Sequence, residues 1–282
     1  MSSIPDRLRP VPARLATESQ VIAIVEDFVE QAPLQASDIP SALAKTGILA
    51  ISIPAEFGGA DISNAVVAEA VGKLSAWDPL VAAGLIGHLT ALELIRSAGT
   101  TEQRRVIYGR VMLGDLFDLA LLSQEGERPL LQPSGLSFSL SHAGSATTGG
   151  RADWHVVIAG NCNAAEIAVV LPSASLAGQE QSSALAVSPD NVLELGAGAV
   201  GLAELMRELL LAAAYLGRNG TVSKGGTIER SRVEREILDA VAARVALVID
   251  TIQVDPDSID LGRVEYLLEA LKTSLARSLP EA

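Results

Sequence analysis

The sequence predicts an α+β fold, mostly helical, in which a small β domain sits between two helical regions. Three observations predict it. Leu136, Phe138 and Leu140 alternate with Ser137, Ser139 and Ser141, the period of a half-buried strand. The runs 154–159 and 165–171 are apolar, rich in β-branched residues, and bounded by Gly, Asn and Pro. On both sides of this block, apolar residues recur at helical spacing behind capping residues.

Residues 1–16 carry Pro5, Pro10 and Pro12 and read as an extended arm. Thr17 and Gln20 form a capping box, and the helix behind it aligns Val21, Val25 and Phe28. A short helix from Ser37 stops at Gly47, and an apolar segment then runs into Gly58-Gly59. Ser63 caps a helix to about Ala76. Asp78-Pro79 supplies an N-cap and an N1 proline for the next, which ends before Gly99. Thr100 opens a fifth helix, ending near Gly114. The sheet region follows, over 118–195, with a tight turn at Thr148-Gly149-Gly150 and a polar loop over 171–191. The helix predicted over 197–217 is apolar on nearly every face through Val200, Leu205, Leu209, Leu210 and Leu216, so it is expected to be central. A helix over 233–252 carries Ile237, Val241, Val245, Val248 and Ile252 on one stripe, and one over 261–279 carries Leu261, Val264, Leu268, Leu271 and Leu275. The expected organisation is an arm (1–16), an N-terminal helical domain (17–117), a middle β domain (118–195) and a C-terminal helical domain (196–282).

The chain's 282 residues can bury a large core, and with 49% apolar but only 3% aromatic residues its helices should pack closely. A net charge of −13 argues against nucleic acid and anionic membrane surfaces as partners. A single cysteine, Cys162, excludes an intrachain disulfide and fits the cytoplasm. No secretory h-region is visible at the N-terminus, and no uninterrupted apolar run is long enough to span a bilayer.

Several residues invite chemistry. Gly196, Gly198 and Gly201 match GxGxxG, but a dinucleotide site also needs a βαβ unit, which the sequence does not supply. His88 lies among Leu85, Leu89 and Leu92, and reads either as a hydrogen-bonded core histidine or as a substrate-binding residue facing the sheet. His142, His155 and Cys162 match no metal-ligand spacing, so no metal is expected. Glu125 and Glu127, on a polar stretch, read as solvated acids or as acid–base groups. Trp154 is expected to be structural, sharing a strand face with Val156 and Ile158.

In order and spacing, four stretches resemble the acyl-CoA dehydrogenase family. They are LAKTGILAISIPAEFGGADIS, GHLTALELIRSAGTTEQRRVIYGRVMLGD, the GRADWHVVIA that follows Thr148-Gly149, and SPDNVLEL. The likeness runs from about residue 17 to 278. It implies a helical N-terminal domain, a middle β domain and a C-terminal bundle, with FAD between the last two. Relatives on this scaffold also include flavin-dependent monooxygenases. The resemblance implies cofactor contacts at Leu121, Ser123, Ala146 and Thr148. Ser123 stands where the family has the Thr of a Thr-Glu motif, and Ala146 where it usually has an aromatic. The family's Gly-Ser-Asp is replaced by Glu127-Arg128-Pro129, and no clear match exists for the arginine that reaches the flavin's diphosphate.

The bundle is expected to be truncated to three helices, without the segment where most members keep the catalytic glutamate. Some members place the base on the central helix before an arginine. Here the order is Arg207-Glu208, which makes Glu208 either the base or a member of an ion pair. Two functions follow from the resemblance. One is a flavin-dependent oxidoreductase acting on an acyl-CoA or similar small organic substrate, with FAD bound weakly or lost. The other is a non-catalytic subunit in a homo-oligomer or in a hetero-oligomer with a full-length acyl-CoA dehydrogenase-like chain. Apolar faces left on the last three helices would favour oligomerisation.

Overall fold

The computed structural model describes residues 11–31, 39–122, 129–141, 146–147, 152–161, 166–176, 184–219, 228–256 and 260–278. Among the described residues five α-helices come first: α1 (Glu18–Gln31), α2 (Ile39–Lys45), α3 (Asn64–Trp77), α4 (Pro79–Ala98) and α5 (Thr101–Val111). Their starts follow local chemistry. The N–H of Gln20 donates to Thr17 Oγ1 at 3.3 Å, and the N–H of Thr17 donates to Gln20 Oε1 at 3.2 Å. Thr100 and Gln103 repeat this box at 3.3 and 3.0 Å. Asp78 accepts from the N–H groups of Leu80 and Val81 at 2.8 and 3.4 Å. Each cap satisfies amide groups that have no partner within the helix. Val21, Val25 and Phe28 are the buried residues of α1, as the sequence predicts.

Among the described residues the sheet has eight strands: β1 (Phe117–Leu122), β2 (Leu130–Ser134), β3 (Ser137–Ser141), β4 (Ala146–Thr147), β5 (Trp154–Asn161), β6 (Glu166–Pro172), β7 (Leu185–Val187) and β8 (Val192–Glu194). β5 is its hub, parallel to β1 and β2 and antiparallel to β6. Strand alternation divides its side chains between two cores. Phe117, Trp154, Val156, Ala168, Val170 and Leu193 join the helical core. Val157, Ala159, Ile167, Val169 and Leu171 form a separate cluster with Leu131, Leu140 and Val187. The predicted strand from Leu136 begins one residue late. Leu136 is fully exposed in a two-residue turn between paired Ser134 and Ser137, with Gly135 at φ 63° in its first central position. The predicted polar loop over 171–191 also holds a short helix, α6 (Ser173–Leu176), and β7. β8 runs antiparallel to β6, so the glycines after it open a helix without any βαβ unit. The turn expected at Thr148-Gly149-Gly150 lies outside the described residues, as do Ser37, Glu125, Glu127, His142 and Cys162.

Three helices close the order: α7 (Ala199–Asn219), α8 (Ile228–Val254) and α9 (Leu261–Ser278). α7 is central, packing against α3, α4, α8 and α9. It approaches α3 so closely that a Cβ at Gly217 would sit 2.0 Å from the carbonyl oxygen of Gly72, so only glycine fits there. α3 and α4 thus cover the sides of α7 that α8 and α9 leave open. Of the predicted stripe of α8, Val245, Val248 and Ile252 are buried, together with Leu238, Ala242, Ala246 and Ile249, whereas Ile237 is half exposed. α4 is long and apolar enough to cross a bilayer by length and composition, yet it is a core helix, packed against α3, α7 and β1.

Candidate functional site

The start of β1 is fixed to α4 through His88. Its Nδ1 accepts the N–H of Phe117 at 3.0 Å, so the proton resides on Nε2, which donates to the carbonyl of Leu49 at 2.9 Å. Complete burial holds the ring's pKa down to about 4, so it is neutral. Phe117 stacks on Trp154 at 6.0 Å, and Trp154 Nε1 donates to Asp115 at 2.9 Å while the Arg110 guanidinium lies 4.6 Å over its ring. Trp154 is therefore held by its indole N–H and by two ring contacts. In register on β1 and β5 are Asp118 and His155, with His155 Nδ1 4.0 Å from Asp118 and its pKa lowered by burial.

At its far end β1 pairs antiparallel with β4, Leu121 opposite Thr147 and Leu122 opposite Ala146. Two of the four sequence-predicted cofactor positions, Leu121 and Ala146, thus lie on one short ladder. The other two, Ser123 and Thr148, lie outside the described residues. Glu208 is nearly buried on α7, with Arg207 Nη1 donating to it at 3.2 Å.

A flavin needs backbone or hydroxyl partners at its ring edge and cationic partners at its phosphates. For the first, the β1–β4 ladder brings the main chain of Leu121 and Ala146 onto one pair of strands. For the second, Arg96, Arg105, Arg110, Arg207 and Arg232 are each already ion-paired within the chain.

A second polar centre escaped the sequence reading. A cavity of about 740 Å³ lies where α4, α5, α7 and α8 meet the turn 54–63 and the start of α1. At its wall is Glu93 of α4, 3% exposed. Its carboxylate accepts from Gln253 Nε2 at 2.6 Å and from Ser97 Oγ at 3.2 Å. Asn64 Nδ2 donates to Gln253 Oε1 at 2.9 Å and to Asp250 at 2.6 Å, so α3, α4 and α8 share one part-buried network. Burial raises the Glu93 pKa to about 7 against the opposing pull of Arg96. The sequence did carry a signal for it: a lone acid inside the apolar run Ala91-Leu92-Glu93-Leu94-Ile95. Among the described residues, no group of three or more His, Cys, Asp or Glu could hold a metal ion.

Residues 12–115 match the family model described as acyl-CoA dehydrogenase, N-terminal domain. No curated protein sequence matches the chain. Among solved structures, FMN-bound TdsC from Paenibacillus sp. A11-2 is similar at a TM-score of 0.71 and 15% identity, over 93% of this chain and 83% of that one. Methanesulfinate monooxygenase MsuC from Pseudomonas fluorescens gives 0.70 and 16%, over 94% and 83%. XiaF from Streptomyces sp., in complex with FADH2 and glycerol, gives 0.68 and 10%, over 93% and 82%. At these identities the likenesses establish the fold.

Proposed function

We propose that this chain, a divergent protein of acyl-CoA dehydrogenase-like fold whose residues 12–115 match that family's N-terminal domain, is a flavin-dependent oxidoreductase. The observation that carries the reading is the β1–β4 ladder, which joins two of the predicted cofactor positions in a fold shared with structures that hold FMN or FADH2. A bound flavin supplies a two-electron acceptor or donor. The chain's own contribution is position. In this reading, main chain at Leu121 and Ala146 and the hydroxyls of Ser123 and Thr148 hold the ring edge. His88, neutral and bonded at both nitrogens, keeps β1 in place against α4, so its role is positioning rather than contact with substrate. Glu208 takes a substrate proton, and Arg207 beside it stabilises its carboxylate. The resemblance extends the proposal to FAD as the flavin, an acyl-CoA or similar small organic substrate, and the cytoplasm as the site of action.

The direct experiment is equilibrium dialysis of the purified full chain against micromolar FAD or FMN, read by the visible spectrum of each chamber. An excess of flavin on the protein side that bleaches on reduction supports the reading; equal concentrations of either flavin in the two chambers contradict it.

A specific observation favours a second reading, a non-catalytic subunit in an oligomer. Val233, Ile237, Leu247 and Val254 of α8 and Leu261 and Tyr266 of α9 are 42–87% exposed. On α8 they fall at spacings compatible with a helix–helix seam. Light scattering that gives a 29.3 kDa species at micromolar concentration would count against it.

A further inference from the structure

We propose that the cavity beside Glu93 binds a small organic cation, an alkylammonium whose head pairs with the Glu93 carboxylate and whose stem lies against Ile62, Leu202 and Ile252. This goes beyond the flavin reading and involves different residues. The volume, about 740 Å³, is that of a small-ligand site. Its lining combines the apolar side chains of Ile62, Leu202 and Ile252 with the carboxyl group of Glu93, a residue 3% exposed.

The bonding of Glu93 selects the ligand's sign. Both of its hydrogen-bond donors, the Ser97 hydroxyl and the Gln253 amide, are neutral. The guanidinium that acts on Glu93 through space, that of Arg96, is committed to Asp61 at 2.9 Å. A carboxylate buried without a bonded counter-ion is costly, and a ligand cation supplies the missing partner. The remaining lining points the same way: besides Glu93 it has four acids, Glu18, Glu56, Asp61 and Asp250, against two cations, Arg96 and Arg104. A bare metal ion is the poorer occupant, because no group of three ligating side chains gathers there among the described residues. The groups around Glu93 are Arg96 and Ser97 on its own helix, Arg104 and Tyr108 on α5, Asn64 on α3, and Asp250 and Gln253 on α8. Burial holds Glu93 near neutrality and pushes Tyr108 up, away from it.

The test is calorimetric titration of the full chain with butylammonium, and in parallel with butyrate and n-butanol, with no flavin present. A failure here therefore leaves the flavin reading untouched, and the reverse also holds. The expected result is saturable binding of butylammonium alone, weakened at least tenfold by Glu93→Gln and unchanged by Glu265→Gln on the exposed side of α9. In the wild type, binding at pH 7 should release about half a proton and at pH 9 almost none, because a pKa of about 7 leaves Glu93 half protonated only near neutrality. Absence of saturable butylammonium binding, equal binding by Glu93→Gln, or equal proton release at the two pH values each overturns the proposal. If Glu93→Gln fails to fold, the wild-type proton release decides.

Discussion

His88 and Glu93 stand five positions apart on α4, one 0% and the other 3% exposed, and burial drives both toward their neutral forms. They differ in what meets them. His88 is closed: each ring nitrogen has one backbone partner, and the ring joins the turn at Leu49 to the first residue of β1. Glu93 is open: two neutral side chains bond it and a cavity begins beside it. The comparison teaches that burial alone does not distinguish a strut from a binding group. The distinction lies in whether every hydrogen-bonding position is used by the fold itself.

The largest effect that could break this comparison comes from His88→Leu. The substitution keeps approximate volume but strands the Phe117 N–H and the Leu49 carbonyl in the core. Stability should fall by about 2–5 kcal/mol, read from a denaturant melt at pH 7. A loss below about 1 kcal/mol would show that His88 is no strut.

Next is pH dependence, where the two groups oppose each other. His88 has a folded pKa of about 4, below its ordinary 6.5, so its contribution is complete above pH 6.5 and is lost as pH falls toward 4. Glu93 has a folded pKa of about 7, above its ordinary 4.5, so its contribution is complete below 4.5 and is lost as pH rises through 7. Each is worth about 3 kcal/mol across its window. In the wild type the two slopes largely cancel between pH 4.5 and 6.5. Glu93→Gln should unmask stability that rises with pH across this range, and His88→Asn stability that falls. Identical slopes in both variants would mean that other groups control the profile.

A smaller effect sharpens the open side of the comparison. Gln253→Leu removes a donor from Glu93 and should cost about 1.5–3 kcal/mol at pH 8, where the carboxylate is charged. At pH 5 it should cost only about 1 kcal/mol. Equal costs at the two pH values would place the Gln253 bond outside the charge balance of Glu93.

How far the sequence could be read depended on how local each signal was. Thr17, Asp78 and Thr100 marked helix starts because a cap is chemistry between residues two or three apart. Leu136 was misplaced because period-two alternation continues smoothly into a turn, and only the pairing of Ser134 with Ser137 reveals the reversal. On α8, Ile237 and Leu238 fit a helical stripe equally well, and the choice is made by α7 and α9, which are distant in sequence. The cover that α3 gives α7 through Gly72 and Gly217 is likewise a tertiary fact. The site was legible only in part. His88 was singled out as either core or site, and its partners Leu49 and Phe117 lie 39 and 29 residues away. Glu93 passed unnoticed because its partner Gln253 is 160 residues distant.

The central functional claim is that this scaffold holds a flavin, and a fluorescence-quenching titration of the full chain with FAD tests it most directly. The stretch after Ser123 lacks the family's Gly-Ser-Asp, and two missing charged contacts to phosphate at about 1.5–3 kcal/mol each weaken binding by roughly two to four powers of ten. The account predicts saturable binding that is weak for a flavoprotein, in the micromolar range on the order of 8 kcal/mol, and further weakened by Thr148→Ala. No binding at millimolar FAD, or binding that Thr148→Ala leaves unchanged, would contradict it.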